Sequence, residues 1–196
     1  MAWRIGAISG SLRSGSRNRA LIETAKTLAP KSLDIEIVDI GGLPMFNEDV
    51  EAEGWPTGVD RLRDRVAGYD GLLIACPEYN HSIPGGLKNA IDWLSRPKPR
   101  ECPVWGKPVA VMGASSGKVG TARAQAQLRE VLAYLGMPVL PGREVLVGPA
   151  SQAFDGDRLT DDTARKLITT MLGEFDHWLA RHVPVASAAE KEGTDP

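Results

Sequence analysis

Apolar and polar positions along this chain alternate in blocks whose period switches between that of a buried strand and that of a helix. Ile5 to Ile8 is a short apolar run that ends in the turn cluster Ser9-Gly10-Ser11. From Asn18 onward Leu21, Ile22, Ala25, Leu28 and Ala29 recur at helical spacing, and Ile35 to Ile40 reads as the next strand. Strand, helix and strand in about 35 residues is the size of one βαβ unit. The pattern then repeats. Val59 to Ala67 reads as a helix and Gly71 to Ala75 as a buried strand. Pro84 sits where an N1 proline starts a helix, which Leu87, Ala90, Ile91 and Leu94 continue on one face. Pro108 to Met112 is strand-like, and Ala124, Leu128, Val131, Leu132 and Leu135 form another apolar stripe. Val145 to Val147 is a last short strand. Ala164, Leu167, Ile168, Met171, Leu172, Phe175, Trp178 and Leu179 mark a long final helix, with Asp161 and Asp162 in its first turn, where the helix dipole favours negative charge.

Five strands alternating with five helices predict an α/β protein whose parallel sheet is covered on both faces. The expected form is a flavodoxin-like three-layer sandwich with strand order 2-1-3-4-5. A chain of 196 residues fits one domain, expected over residues 1–183, and it is long enough to bury a real core. From Pro184 the residues are small, polar or charged, and 184–196 reads as a disordered tail.

Composition narrows the partners. The net charge is -2 with acids and bases mixed along the chain, which gives no electrostatic reason to expect nucleic acid or an anionic membrane. There is no run of about 18 apolar residues, so no transmembrane helix is expected. Met1 to Ile5 leads straight into a strand with no secretory apolar region, and the expected location is the cytoplasm. The two cysteines, Cys76 and Cys102, are each followed by proline and have no metal-type spacing. They permit one disulfide at most; the simpler reading is two small apolar residues in a reducing compartment.

In open α/β sheets, ligands bind beyond the carboxyl ends of the strands where the strand order reverses, so the residues just after each apolar run carry the chemistry. Three such loops stand out. The first, Ser9 to Asn18, holds serine hydroxyls, an asparagine amide, arginines and two glycines just before a helix N-terminus, a combination suited to a phosphate. A plain cap would need one hydroxyl, supplied by Ser16. The second, Pro77 to Gly86, is stiffened by prolines and offers the flat ring of Tyr79 and backbone around Asn80 that can approach a planar ligand. The third, Gly113 to Gly120, is built of small residues that let backbone N–H groups come close to an acceptor; by itself it reads as a flexible connector. Other nucleotide routes are disfavoured: Gly-x-Gly-x-x-Gly, Walker-type Gly-Lys-Ser/Thr and Cys-x5-Arg are all absent. No Ser-His-Asp or Cys-His arrangement with supporting context occurs.

These residues resemble a family. Gly-Ser-Leu-Arg-Ser-Gly-Ser-Arg-Asn (10–18), Leu-Pro-Met-Phe-Asn-Glu-Asp (43–49), Pro-Glu-Tyr-Asn-His-Ser-Ile-Pro-Gly-Gly-Leu-Lys-Asn-Ala-Ile-Asp-Trp-Leu-Ser-Arg (77–96) and Gly-Ala-Ser-Ser-Gly-Lys-Val-Gly-Thr-Ala-Arg-Ala-Gln (113–125) are similar to the NADPH-dependent FMN reductases, which include quinone, chromate and azo-dye reductases. The resemblance implies FMN as cofactor, NADPH or NADH as hydride donor, and a quinone-like small acceptor. It implies that Ser11, Arg13, Ser16 and Asn18 hold the FMN phosphate. Pro77, Glu78, Tyr79, Asn80 and His81 would form the turn against the isoalloxazine, and Ser115 with Gly117 would add flavin contacts. It also implies a homodimer or homotetramer with the flavin near a subunit interface, compatible with the apolar Leu43-Pro44-Met45-Phe46 loop and with Trp55 and Trp105 being exposed. Arg17, counted with the cofactor-binding residues, stands where the family often has an aromatic or small residue, and places an extra charge near the phosphate or the nicotinamide nucleotide. Ser115-Ser116 stands where the family often has Ser-Pro.

In this reading the flavin carries the chemistry and the protein binds, orients and tunes it. Backbone donors near Ser115 are expected to stabilise negative charge on the reduced ring. No catalytic side chain is required; His81 is a candidate proton donor, because an unperturbed histidine titrates near neutral pH. The alternatives are a flavodoxin-like one-electron carrier, which the near-neutral charge weakens, and an FMN-free interaction module on the same fold.

Overall fold

The structure is a computed structural model and describes residues 2–97, 99–142 and 144–184. The expected tail lies outside the described residues apart from Pro184. Five parallel strands, β1 (Trp3–Ser9), β2 (Leu33–Val38), β3 (Gly71–Ala75), β4 (Val109–Ala114) and β5 (Val145–Val147), form one sheet in the order β2-β1-β3-β4-β5. This is the flavodoxin-like order expected from the sequence.

The strands are apolar throughout because each feeds two cores. In β3, Leu73 and Ala75 face one side while Leu72 and Ile74 face the other, and β1 divides Ile5 and Ala7 from Ile8 in the same way. One face is covered by α1 (Arg17–Leu28) and α7 (Asp162–His182), through Leu21, Ile22, Ala25, Ile168 and Phe175. The other is covered by α3 (Thr57–Ala67), α4 (Gly85–Leu94) and α5 (Ala122–Tyr134), through Val66, Leu87, Leu94, Leu128 and Leu132. The carboxyl ends of β1, β3 and β4 come out level: Gly10 N–H donates to Ala75 O at 2.9 Å, and Cys76 N–H donates to Met112 O at 2.8 Å. The three loops singled out above therefore leave the sheet side by side.

Several elements differ from expectation. Three short pieces have too few residues to show a period: α2 (Glu48–Glu53), α6 (Ala150–Ala153) and a hairpin of β6 (Phe154–Asp155) and β7 (Arg158–Leu159). Pro84 is the N-cap of α4, not its first helical residue. Asp161 is likewise the N-cap of α7, its Oδ1 accepting from Ala164 N–H at 2.6 Å. Trp55 is half-buried, not exposed: Arg63 lies over its ring at 4.1 Å, and it meets Trp93 with ring centroids 6.0 Å apart. Trp105 is 39% exposed.

Trp93 anchors the loop that follows β2. Its side chain is fully buried, its Nε1–H donates to Pro44 O at 2.9 Å, and Phe46 meets its ring edge-on at 5.0 Å. Asn89, one turn earlier on α4, donates to the same Pro44 O at 2.9 Å and accepts from Phe46 N–H at 2.7 Å. The sequence 43–56 is thereby fixed against α4 by neutral donors and ring packing. Both cysteines are buried, and they form no disulfide with each other. Burial, reinforced by the nearby Glu78 carboxylate, pushes the Cys76 thiol up to about 12, so it is no thiolate nucleophile at neutral pH.

Candidate cofactor site

The first loop turns into α1 at Ser16, whose side chain is the N-cap and accepts from Arg19 N–H at 3.1 Å. That leaves the other early N–H groups of α1 and the positive end of its dipole facing outward, an anion site in kind. Beside it lies a cleft of about 400 Å³, within the usual size for a small-molecule site. Ser11, Arg13, Ser16, Arg17 and Asn18 line one wall, and Pro77, Glu78 and Tyr79 another. Ser115 contributes from the third loop. Nine of the expected residues thus converge on one cavity.

Asn80, His81 and Gly117 do not line it. Asn80 (φ 51°) and His81 (φ 62°) are both left-handed and form the tip of a tight two-residue turn closed by Tyr79 and Ser82, which exchange backbone hydrogen bonds at 3.1 and 3.0 Å. Two consecutive positive φ values are the geometry of a type I′ hairpin turn, which Asn tolerates best among residues with a side chain. Gln127 of α5 holds the tip: its Nε2–H donates to His81 O at 2.9 Å and its Oε1 accepts from Ser82 Oγ at 2.7 Å. His81 is exposed at this tip.

The loops are tied to one another through groups expected to face the ligand. Asn18 is 3% exposed; its Nδ2–H donates to Ala114 O and its Oδ1 accepts from Ala114 N–H, both at 2.9 Å. Its carboxamide is thus a clamp between the first and third loops. The Tyr79 hydroxyl donates to Ser11 Oγ at 3.2 Å, joining the first and second. Glu78 caps α5 from outside: its carboxylate accepts from Arg123 N–H at 3.0 Å, Ala124 N–H at 3.2 Å and Arg123 Nη1 at 3.3 Å. What Glu78 offers a ligand is its backbone.

Ser115 lines the cleft with its own polar groups engaged elsewhere. Its N–H donates to Val147 O at 3.0 Å, its carbonyl accepts from Ala150 N–H at 2.8 Å, and its hydroxyl donates to Gly120 O at 2.6 Å. No donor on Ser115 is left for a ring; the next N–H along, on Ser116, has no hydrogen bond among the described residues. Gly15 of the first loop, Ala114 and Ser116 of the third, and Ala150 and Ser151, which lie outside all three loops and were not foreseen, complete the lining. The third loop also needs its glycine: a Cβ on Gly113 would collide with the Thr121 hydroxyl and the Cys76 carbonyl.

Burial alone would raise the Glu78 carboxyl, but the Ala124 N–H and the Arg123 side chain and N–H outweigh it and hold the group below its usual range. A depressed folded value contributes stability above the unfolded value near 4.5 and loses it as pH falls through the folded one. Glu78→Gln is expected to cost about 1–2 kcal/mol at pH 7 through loss of charge-assisted bonds to the α5 terminus. The stability gap between the two proteins should close in acid below that value. A gap that stays constant from pH 7 to pH 3 in thermal unfolding would contradict this role.

The residues fit a flavin mononucleotide: hydroxyls, a helix N-terminus and two arginines at one end, and a proline-stiffened turn with an aromatic ring at the other. Among the described residues no group of His, Cys, Asp or Glu is placed to hold a metal ion.

Comparison with known proteins agrees with this geometry. The sequence model of a family described as NADPH-dependent FMN reductase matches residues 3–152. The chain is 49% identical over 179 residues to an NAD(P)H-dependent FMN reductase of Pseudomonas aeruginosa, covering 91% of this chain and 96% of that one. It is 40% identical over 182 residues to a 2-hydroxy-1,4-benzoquinone reductase of a Burkholderia species, covering 91% and 97%. Among solved structures, the flavoenzyme NAD(P)H:(acceptor) oxidoreductase FerB of Paracoccus denitrificans superposes with a TM-score of 0.84 at 36% identity, covering 92% of this chain and 99% of that chain.

Proposed function

The chain belongs to the NADPH-dependent FMN reductase family, and from that premise we propose that the cleft between the three loops is where it holds FMN and where quinones are reduced. It is an NAD(P)H-dependent oxidoreductase with FMN as its cofactor, and quinones are its acceptor class. When bound, FMN supplies a carrier that takes two electrons as hydride from the nicotinamide and gives them to the acceptor.

The protein's part follows from the site. Ser11, Arg13, Ser16 and the N-terminus of α1 hold the phosphate by charge and hydrogen bonds. Pro77, the Glu78 backbone and Tyr79 shape the wall for the ring, and Ser116 N–H is the donor for its polar edge. Asn18 and Glu78 hold the walls in register, and Gln127 holds the Asn80–His81 turn. Ties already made without ligand reduce the ordering cost of binding. No side chain in the cleft is assigned proton transfer. A homodimer or homotetramer is supported by the apolar groups left at the surface, Met45 at 75% and Tyr134 at 77% exposure. The location that fits is the cytoplasm; no helix among the described residues is long and apolar enough to cross a membrane.

The observation that carries the proposal is the convergence of Arg13, Ser16 and the α1 N-terminus on the same cavity as the Pro77–Tyr79 wall. Anaerobic mixing of the flavin-loaded protein with NADPH is expected to bleach the flavin's visible band, and adding a benzoquinone to restore it. A band that survives NADPH would instead favour an electron carrier. Arg13→Ala is expected to weaken FMN retention by about 1.5–3 kcal/mol, the worth of a hydrogen bond to a charged group. An unchanged dissociation constant would remove the phosphate from this end of the cleft.

A further inference from the structure

Arg17 is a second cation in the first loop, beside Arg13. It is the first helical residue of α1 and lines the cleft beside Gly15, Ser16 and Ser151. Its guanidinium lies over the ring of Phe154, 5.2 Å from the centroid. Its Nη1 stands 3.7 Å from Asp157 Oδ1, too far for a hydrogen bond. The Asp157 side chain is 81% exposed, so the attraction is largely screened. Nη1 itself is shielded from solvent and has no hydrogen-bond partner among the described residues, while the side chain as a whole is 37% exposed. A shielded guanidinium N–H without an acceptor is a standing cost to the fold, and such groups call for an explanation.

The surroundings supply one. Phe154 belongs to β6, Asp157 lies in the β6–β7 turn, and this hairpin follows directly on α6, whose Ala150 and Ser151 form part of the cleft wall. The hairpin thus holds the guanidinium beside the cleft that Arg17 lines, stacked on one side and loosely paired on another. A phosphate monoester carries up to two negative charges and three acceptor oxygens, and a planar guanidinium matches it better than one distant, hydrated carboxylate does.

We propose that Arg17 joins Arg13 in distinguishing FMN from riboflavin, with Phe154 and Asp157 holding its guanidinium near the flavin's terminal phosphate. The inference rests on the cleft being the FMN site. It adds an anion-reading side chain to the first loop, and it gives the β6–β7 hairpin a role in cofactor choice.

The test is a pair of binding titrations on the flavin-depleted full-length protein, following the quenching of FMN and of riboflavin fluorescence at low ionic strength. Arg17→Gln is expected to weaken FMN about tenfold or more, the loss of one charge-assisted bond, and to leave riboflavin unchanged. Arg17→Lys should fall between, keeping the charge without the fork. Asp157→Asn should bind FMN as tightly as the wild type or more so. Equal losses for both flavins in Arg17→Gln, or no loss for either, would overturn the proposal, as would weaker FMN binding in Asp157→Asn. If Arg13→Ala loses FMN while Arg17→Gln does not, this inference fails and the FMN site stands. If the wild type binds neither flavin, both fail together. Thermal unfolding of the ligand-free variants separates binding from folding.

Discussion

Replacing Asn18 by Ala is expected to destabilise the ligand-free protein by about 2–4 kcal/mol and to weaken FMN and riboflavin alike. The register of β3 with β4 ends at the Ala75–Met112 pair, so the peptide groups of Ala114 lie beyond the last strand partner on that side. The Asn18 carboxamide takes the missing strand's place, donating to Ala114 O and accepting from Ala114 N–H in a buried setting. Alanine removes both partners at once and leaves a donor and an acceptor buried without replacements, each worth roughly 1–3 kcal/mol. The first and third loops then lose their mutual fix, which affects any ligand lying between them. A residue acting only as a phosphate ligand would give the opposite pattern: FMN weakened, riboflavin untouched, unfolding midpoint unmoved. Urea unfolding together with the two flavin titrations decides between them. Asn18→Asp should rescue only half of the clamp, because its carboxylate accepts from the Ala114 N–H but repels the Ala114 carbonyl.

Trp93→Ala should be the most damaging single change, at about 3–5 kcal/mol, the usual range for removing a buried large aromatic. The side chain is fully buried, supports Phe46 and Trp55, and provides one of two N–H groups that satisfy Pro44 O. Trp93→Phe keeps much of the ring packing and loses the donor; with Asn89 still bonded to Pro44 O, a smaller cost of about 1–2 kcal/mol is expected. Neither the 43–46 loop nor Trp93 lines the cleft. Folded Trp93→Phe should therefore bind FMN normally, and an altered FMN affinity in that variant would show that the loop reaches the site. Proteolysis within 43–56 should accelerate before global unfolding does.

The sheet order and the convergence of three loops were legible because continuous apolar strands and punctuating Ser-Gly and Pro-Gly clusters are local signals. The roles of Asn18 and Glu78 were not. A polar side chain in a loop announces a hydrogen bond but not its partner, and here the partners lie 96 and 45 or 46 residues away on the backbone. The engagement of Ser115 N–H was hidden in the same way, since an N–H in a small-residue loop reads as free until Val147 is seen beside it. Gln127 occupies an ordinary polar position of an amphipathic helix, and nothing local marks it as the support of the Asn80–His81 turn. Ala150 and Ser151 sit in a four-residue helix, too short to show a period.

The cross-ties that shape the cleft are mostly bonds between neutral groups: an amide to a peptide, a phenol to a serine, a glutamine to a carbonyl and a hydroxyl. The groups assigned to the phosphate, by contrast, include the guanidinium charge of Arg13 at the exposed rim and the positive end of the α1 dipole. Dissolved salt acts on the second set and hardly on the first. Shape and grip are therefore governed by different forces, and a concentrated electrolyte should release the cofactor from a pocket that keeps its form.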